Sequence, residues 1–283
     1  MKPATLHVVG LGPGDAQCLT PQARQVLQEA RCVAGYHLYM DLVPPELLEG
    51  KRRISTGMRQ EAERCAAAVD AALAGEPTAL VCSGDPGVYA LAGLALETLE
   101  ARGLAGVVPF AVVPGVPAVC AAAALLGAPL MHDFACVSLS DLLTPWETIV
   151  RRLTAALAAD FVCVLYNPRS HGRPEHLAAA LALARNYREP HCPVGVVRQA
   201  FRPGQTARVL RLDAVNPEEV DMLSLCIIGN ATSRALGPYM LTPRGYERKR
   251  RAGGAAATPP ERGRKAAGPT AEPNAAPQGK AGG

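Results

Sequence analysis

Leu6-His-Val-Val-Gly-Leu-Gly-Pro-Gly-Asp15 stands at the head of the chain. Its first four residues are a short apolar run that stops at Gly10, the pattern of a buried strand handing over to a loop. Thr20-Pro21 follows, with Thr as N-cap and Pro at the first helical position, so a helix is expected over 21–30. Strand, glycine loop and helix in that order open an α/β unit. The spacing G-x-G-x-G-D is not the dinucleotide fingerprint G-x-G-x-x-G, and Pro13 removes an amide that a phosphate cradle would use. A neutral ligand needing close backbone approach suits the loop better; an ordinary turn is the alternative.

Outward from that stretch the pattern repeats. Residues 61–74 place Ala62, Cys65, Ala66, Val69 and Leu73 on one helical face. Residues 78–82 read as a strand ending at Ser83-Gly-Asp-Pro-Gly-Val-Tyr89, then a helix over 88–102 and a strand over 107–113. Strand ends that open helices are where open α/β sheets place ligands. Asp85 is suited to accept from a ligand amine or hydroxyl, or to act as a plain N-cap. Val113-Pro-Gly-Val-Pro117 is the expected domain joint. Beyond it, helices are expected over 118–126, 148–158 and around Leu177, Leu181 and Ala184. Extended segments are expected over 135–139, 161–166, 194–197 and 223–228. The fold class is therefore α/β, with domains at 1–115 and 116–246, each on a mostly open sheet.

Charge is unevenly placed. The chain carries 29 Lys/Arg and 25 Asp/Glu, of which residues 247–283 hold eight and three, leaving 21 and 22 for the body. A neutral body argues against nucleic-acid binding, which calls for a basic face. The 247–283 segment is Ala/Gly/Pro-rich and basic, so a disordered tail is expected there. The nine cysteines form no CxxC and several sit in apolar stretches, so they read as small buried hydrophobes of a reducing compartment. No metal site is expected. Pro109, Pro114, Pro117 and Pro129 break the uncharged stretch 103–131 too often for a membrane helix, and no signal peptide is visible. A cytoplasmic protein is expected.

Gly10-Leu-Gly-Pro-Gly-Asp15, Ser83-Gly-Asp-Pro-Gly-Val-Tyr89, Val112-Val-Pro-Gly-Val116 and Gly229-Asn230 occur in the order found in the tetrapyrrole methylases. The chain resembles that family from residue 5 to about 246. Thr56-Gly-Met58, Pro129-Leu-Met-His-Asp-Phe134, Ser138-Leu-Ser-Asp-Leu-Leu-Thr-Pro-Trp146, Tyr166-Asn-Pro-Arg-Ser170 and Leu241-Thr-Pro-Arg-Gly-Tyr246 look like the members that methylate C-17 of precorrin-3B or its cobalt form and contract the ring. Thr56-Gly-Met58 and Asp141-Leu-Leu-Thr-Pro-Trp146 are closer to the cobalt-containing branch. The resemblance implies two α/β domains with S-adenosylmethionine in the cleft between them, and a homodimer. The implied cofactor contacts are Pro13, Gly84, Asp85, Val88, Pro117, Ala118, Asn167, Gln199 and Asn230. Where the family often has Thr after Pro-Gly-Val, this chain has Pro117. Either the Ala118 backbone supplies that contact or this edge is looser.

Methyl transfer from a sulfonium needs alignment and exclusion of water, with no acid or base on the donor; positioning alone lowers a barrier by roughly 7–11 kcal/mol. Ring contraction requires a proton to leave an oxygen at C-20, so one general base near the macrocycle is expected. His132 is the candidate, beside the family-specific stretch; a structural pair with Asp133 is the alternative. The substrate is a polycarboxylate, and Arg169 and Arg173, after the Tyr-Asn-Pro turn, are the expected binding residues, ahead of Arg59 and Arg198. Three rivals compete: a methylase with another acceptor, a nicotinamide-dependent oxidoreductase, and a non-catalytic tetrapyrrole carrier.

Overall fold

The structure is a computed structural model that describes residues 2–246; the tail expected at 247–283 lies outside them. Residues Met1–Arg244 form one compact unit. Its first sheet holds β1 (Leu6–Gly10), β2 (Cys32–Tyr36), β3 (Arg52–Thr56), β4 (Thr78–Cys82) and β5 (Phe110–Val113), all parallel, in the order β3-β2-β4-β1-β5. Four helices serve it: α1 (Pro21–Glu29), α2 (His37–Met40), α3 (Glu61–Leu73) and α4 (Ala92–Ala101).

Strand alternation decides which helix packs where. Leu6, Val8, Leu80 and Cys82 bury one face against Cys65, Val69, Ala95 and Leu99 of α3 and α4. Val9, Val33, Ala79 and Val81 bury the other against Ala23 and Leu27 of α1 and Met40 of α2. The adjacent ends of β1 and β4 therefore feed helices on opposite faces, which opens a crevice at the carboxyl edge.

After Val113 the chain enters α5 (Ala118–Leu126) and the short β6 (Gly127–Ala128). The second sheet then forms from β7 (Phe134–Ser138), β8 (Val162–Tyr166), β9 (Pro193–Arg198), β10 (Thr206–Arg211) and β11 (Ser224–Ile228), with α6 (Trp146–Ala158) and α7 (His176–Ala184) between its strands. Its order is β10-β9-β11-β8-β7, and β11 runs antiparallel to both β8 and β9. One face packs Cys163, Leu165, Val194, Val196 and Ile228 on Ile149, Leu153, Leu157, Leu177 and Leu181. The other packs Val162, Val164 and Ile227 on Val119, Ala122 and Leu126 of α5. Two further strands, β12 (Arg234–Leu236) and β13 (Tyr239–Leu241), form a hairpin whose second strand pairs with β6.

Several expectations shift. The buried face of α3 is Arg64, Cys65, Ala68, Val69 and Ala72, while Ala62 is exposed. The helix expected from 88 starts at Ala92, because Tyr89 takes a left-handed backbone (φ 52°). The strand expected from 107 starts at Phe110.

Candidate functional site

Four glycines, Gly10, Gly12, Gly84 and Gly115, fuse the carboxyl-edge loops of the first sheet. Gly12 and Gly84 exchange backbone hydrogen bonds of 3.1 and 2.7 Å. A Cβ on Gly115 would lie 2.2 Å from the Gly84 carbonyl oxygen, and one on Gly10 would lie 2.6 Å from the Gly115 nitrogen. Only glycine permits three backbones to meet at that distance. The Asp85 carboxylate holds the arrangement, accepting from Gly87 N at 2.8 Å and from Gly115 N at 3.1 Å. Its first duty is thus to join two loops, a third reading beside the ligand contact and the N-cap.

Space remains above Gly84. A Cβ there would find nothing closer than the Ala118 nitrogen at 3.7 Å and Pro117 Cα at 3.8 Å. Pro117 is the N-cap of α5 and offers no side-chain hydrogen bond, so the cap comes from elsewhere. The Tyr166 hydroxyl accepts from Val119 N at 3.0 Å. Burial pushes the Tyr166 phenol up, so it stays neutral. Its ring lies 5.0 Å from that of Tyr89, whose hydroxyl donates to the Cys136 carbonyl at 2.9 Å.

The second sheet faces this crevice with the carboxyl ends of β7, β8 and β9. Asn167 and Gln199, each the first residue past its strand, have φ of 51° and 48°. Left-handed backbone at non-glycine residues is uncommon and gathers at functional sites. Asn167 Nδ2 donates to Ser138 Oγ at 2.9 Å, and Gln199 Oε1 accepts from Arg198 Nη1 at 2.9 Å. Arg202, in the turn after Gln199, reaches across to the first sheet: it donates from Nε to the Pro13 carbonyl and from Nη2 to Ser83 Oγ at 2.7 Å. Burial pulls its guanidinium down from the ordinary value. Of the expected cofactor contacts, Pro13, Gly84, Asp85, Val88, Pro117, Ala118, Asn167 and Gln199 lie on these loops.

Asn230 does not. Gly229 N bonds the Pro193 carbonyl at the start of β9, whereas Gln199 N bonds Leu223 just before β11. The whole of β11, roughly 16 Å of strand, separates Asn230 from Gln199. There Asn230 Oδ1 organises its own turn, accepting from Thr232 N, Thr232 Oγ1 and Ser233 Oγ. His132 is misplaced for the same reason. It precedes β7, and the Asp133 carbonyl accepts from Val162 N at the start of β8, so β7 stands between it and the crevice. Its Nδ1 accepts from Asp133 N at 2.9 Å and lies 3.5 Å from the Asp133 carboxylate. The structural pairing is what the geometry supports.

Among the arginines, Arg198 is committed to Asp221 at 2.7 Å, and Arg59 lies in an exposed turn. Arg169 donates to the Pro174 carbonyl at 3.4 Å. Arg173 is buried beside Asp141 and His176, at the same edge as Asn167. Arg202, Tyr89 and His176 were invisible as functional residues in the sequence; only the Pro203-Gly204 turn hinted at the Arg202 loop.

Around the space above Gly84 the two charged side chains, Asp85 and Arg202, are engaged by the protein's own groups, which leaves backbone amides and uncharged side chains for a ligand. That set suits a neutral nucleoside body approaching closely, and is poorly suited to a pyrophosphate. No helix among the described residues is long and apolar enough to cross a membrane.

Comparison with known proteins agrees with this geometry. A sequence profile of the tetrapyrrole (corrin/porphyrin) methylases matches residues 5–216. The probable cobalt-factor III C(17)-methyltransferase of Salmonella typhimurium is 47% identical over 241 residues, 85% of this chain and 99% of that protein. The precorrin-3B C(17)-methyltransferase of Sinorhizobium sp is 39% identical over 249 residues, 86% and 97% of the two chains. Other relatives are longer, and the chain spans about half their length. The crystal structure of the methyltransferase CobJ superposes with a TM-score of 0.81 at 38% identity, covering 85% of this chain and 100% of that one. The uroporphyrin-III C-methyl transferase of Thermus thermophilus, complexed with S-adenyl homocysteine, gives 0.60 at 27% identity over 80% and 97%. The chain belongs to the tetrapyrrole methylases.

Proposed function

We propose that the protein transfers a methyl group from S-adenosylmethionine to C-17 of a corrin precursor at the precorrin-3B or cobalt-precorrin-3 level, with ring contraction, in cobalamin biosynthesis. The observation that carries this reading is the glycine-fused crevice of Gly10, Gly84 and Gly115, roofed by Ala118 and faced by Asn167 and Gln199. The names of the C-17-methylating relatives from Salmonella and Sinorhizobium fix the acceptor class.

When bound, the cofactor supplies an electrophilic methyl on a sulfonium. The chain's own residues bind and orient. Pro13, Gly84, Asp85, Val88, Pro117 and Ala118 line one wall, and Asn167 and Gln199 the other. Arg202 holds the two walls together. Such walls position the donor and exclude water, which is where the rate gain of this displacement lies. Arg169 and Arg173 serve the acceptor's carboxylates. We read residues 1–115 and 116–246 as the two lobes, the assembly as a homodimer and the setting as the cytoplasm. The cobalt-factor name of the relative at 47% identity favours the cobalt-containing acceptor.

The test is mass spectrometry of products formed from precorrin-3B and from its cobalt form with isotopically labelled S-adenosylmethionine. One labelled methyl at C-17 is expected. Calorimetry with S-adenosylhomocysteine and with NAD(P) separates the oxidoreductase, which binds only the latter, and the carrier, which binds neither.

A further inference from the structure

Two enclosed polar atoms at the carboxyl edge of the second sheet lack hydrogen-bond partners: Arg173 Nη1 and His176 Nε2. Arg173 is 9% exposed. Its Nε donates to Ser170 Oγ at 3.2 Å, and its Nη2 has only the thioether of Met222, a weak acceptor, at 3.6 Å. His176 opens α7, with its ring edge-on to Trp146 at 4.4 Å. Among the described residues, one carboxylate stands against both. Asp141 Oδ1 is 4.0 Å from Arg173 Nε, and Oδ2 is 3.1 Å from His176 Nε2 without hydrogen-bond geometry. The loop continues into Leu142 and Leu143, which are 67% and 98% exposed.

A buried guanidinium is costly unless it is both paired and hydrogen-bonded, and a 4.0 Å contact supplies little of either. Carboxylates satisfy arginine best through two parallel N–H···O bonds, a fit that Asp141 does not make. Arg173 and His176 are thus arranged for a carboxylate better placed than the one beside them. The loop that carries Asp141 is also the one that shows two bare leucines to solvent, next to the crevice.

We infer that Arg173 and His176 form a receiving subsite for one peripheral carboxylate of the tetrapyrrole, and that Asp141 is an internal stand-in which withdraws when that carboxylate arrives. Arg173 Nη1 and His176 Nε2 then gain an acceptor each. Asp141 swings out with Leu142 and Leu143, whose side chains cover the macrocycle. The inference rests on the tetrapyrrole reading above, which already gives Arg173 to the acceptor's carboxylates, and adds His176 as its partner and Asp141 as a competitor built into the protein.

The competitor gives the test its sign. Uroporphyrin, a stable tetrapyrrole octacarboxylate, is titrated into the full-length protein by fluorescence quenching. Asp141→Asn removes the competing charge at an exposed position, and is expected to tighten uroporphyrin binding about tenfold, equivalent to one decade in Kd. His176→Gln is expected to weaken it several-fold, and Asp141→Asn combined with Arg173→Gln to lose the gain. S-adenosylhomocysteine affinity, measured by calorimetry, stays at the wild-type value in the single variants. Unchanged or weaker uroporphyrin binding by Asp141→Asn makes Asp141 a structural tie and overturns the inference, as does absence of uroporphyrin binding from both proteins. If the wild type still binds S-adenosylhomocysteine in those cases, the methylase reading stands alone; if it binds neither, both readings fall.

Discussion

At the scale of single residues, Gly115 and Gly84 sit in one contact but answer to different constraints. A methyl at Gly115 would meet the Gly84 carbonyl at 2.2 Å, and backbone on both sides cannot yield. Gly115→Ala should therefore cost about 1–3 kcal/mol of stability, as overpacking does, and abolish nucleoside binding with it. Gly84 has φ 71°, so an alanine there pays about 1–2 kcal/mol of backbone strain, but its methyl finds only open space to 3.7 Å. Gly84→Ala should fold, and should lose S-adenosylhomocysteine affinity by at least tenfold. Urea denaturation beside calorimetry reads the two effects apart; normal binding by Gly84→Ala would remove the space above it from the cofactor site. His132 gives the opposite forecast. Half-exposed and bonded to its neighbour at the wrong end of β7, it should be replaceable by Ala with wild-type turnover in the labelled-methyl assay. A turnover loss of tenfold or more would return it to the mechanism.

At the scale of elements, the amino end of α5 is capped by the end of a strand distant in sequence. Pro117 leads into the helix with no side-chain cap, and the Tyr166 hydroxyl at the end of β8 takes the Val119 amide instead. Tyr166→Phe leaves that amide unpaired in a part-buried place, at a cost of about 1–3 kcal/mol. The same amide end borders the space above Gly84, so nucleoside affinity should fall as well; a variant with native stability and native affinity would show that water caps the helix equally well. β4 and α5 were legible from their residues: both begin and end where their apolar runs do. The interior β2 and the edge strands β3 and β10 were not. Arg52–Thr56 and Thr206–Arg211 are mostly exposed, carry Arg and Thr, and show no apolar alternation to read. The loops of the first wall were legible because glycine and proline mark them. Asn230 and His132 were misplaced because chain position says nothing of strand direction: β11 runs against its neighbours, and His132 enters β7 instead of leaving it. Arg202 was hidden because its partners, Pro13 and Ser83, are more than a hundred residues away in sequence.

At the scale of the whole molecule, a core poor in aromatic rings is filled partly with thiols, and that choice sets a limit on alkaline stability. Cys32, Cys65, Cys82, Cys163, Cys192 and Cys226 are buried as free thiols. Desolvation raises Cys65, Cys163 and Cys192 to about 11, and Cys82 and Cys226 to about 12. In the unfolded chain a thiol ionises near roughly 8.5. Between these values the unfolded state has released protons that the folded state still holds, so stability falls as pH rises. The contribution is complete below about pH 8.5 and is lost progressively up to about pH 11 and beyond. Partly buried Tyr39 and Tyr166, also pushed up by desolvation, add to the loss at the alkaline end. Lys51, pulled down by burial, works in the opposite sense as a single surface group and cannot offset five thiols. The urea midpoint should therefore decline steeply between about pH 9 and 11, and less steeply in Cys226→Ala, which removes one fully buried thiol from the second sheet. A midpoint flat across that range would mean that the thiols ionise inside the fold, and that the cysteine-lined cores of both sheets admit water.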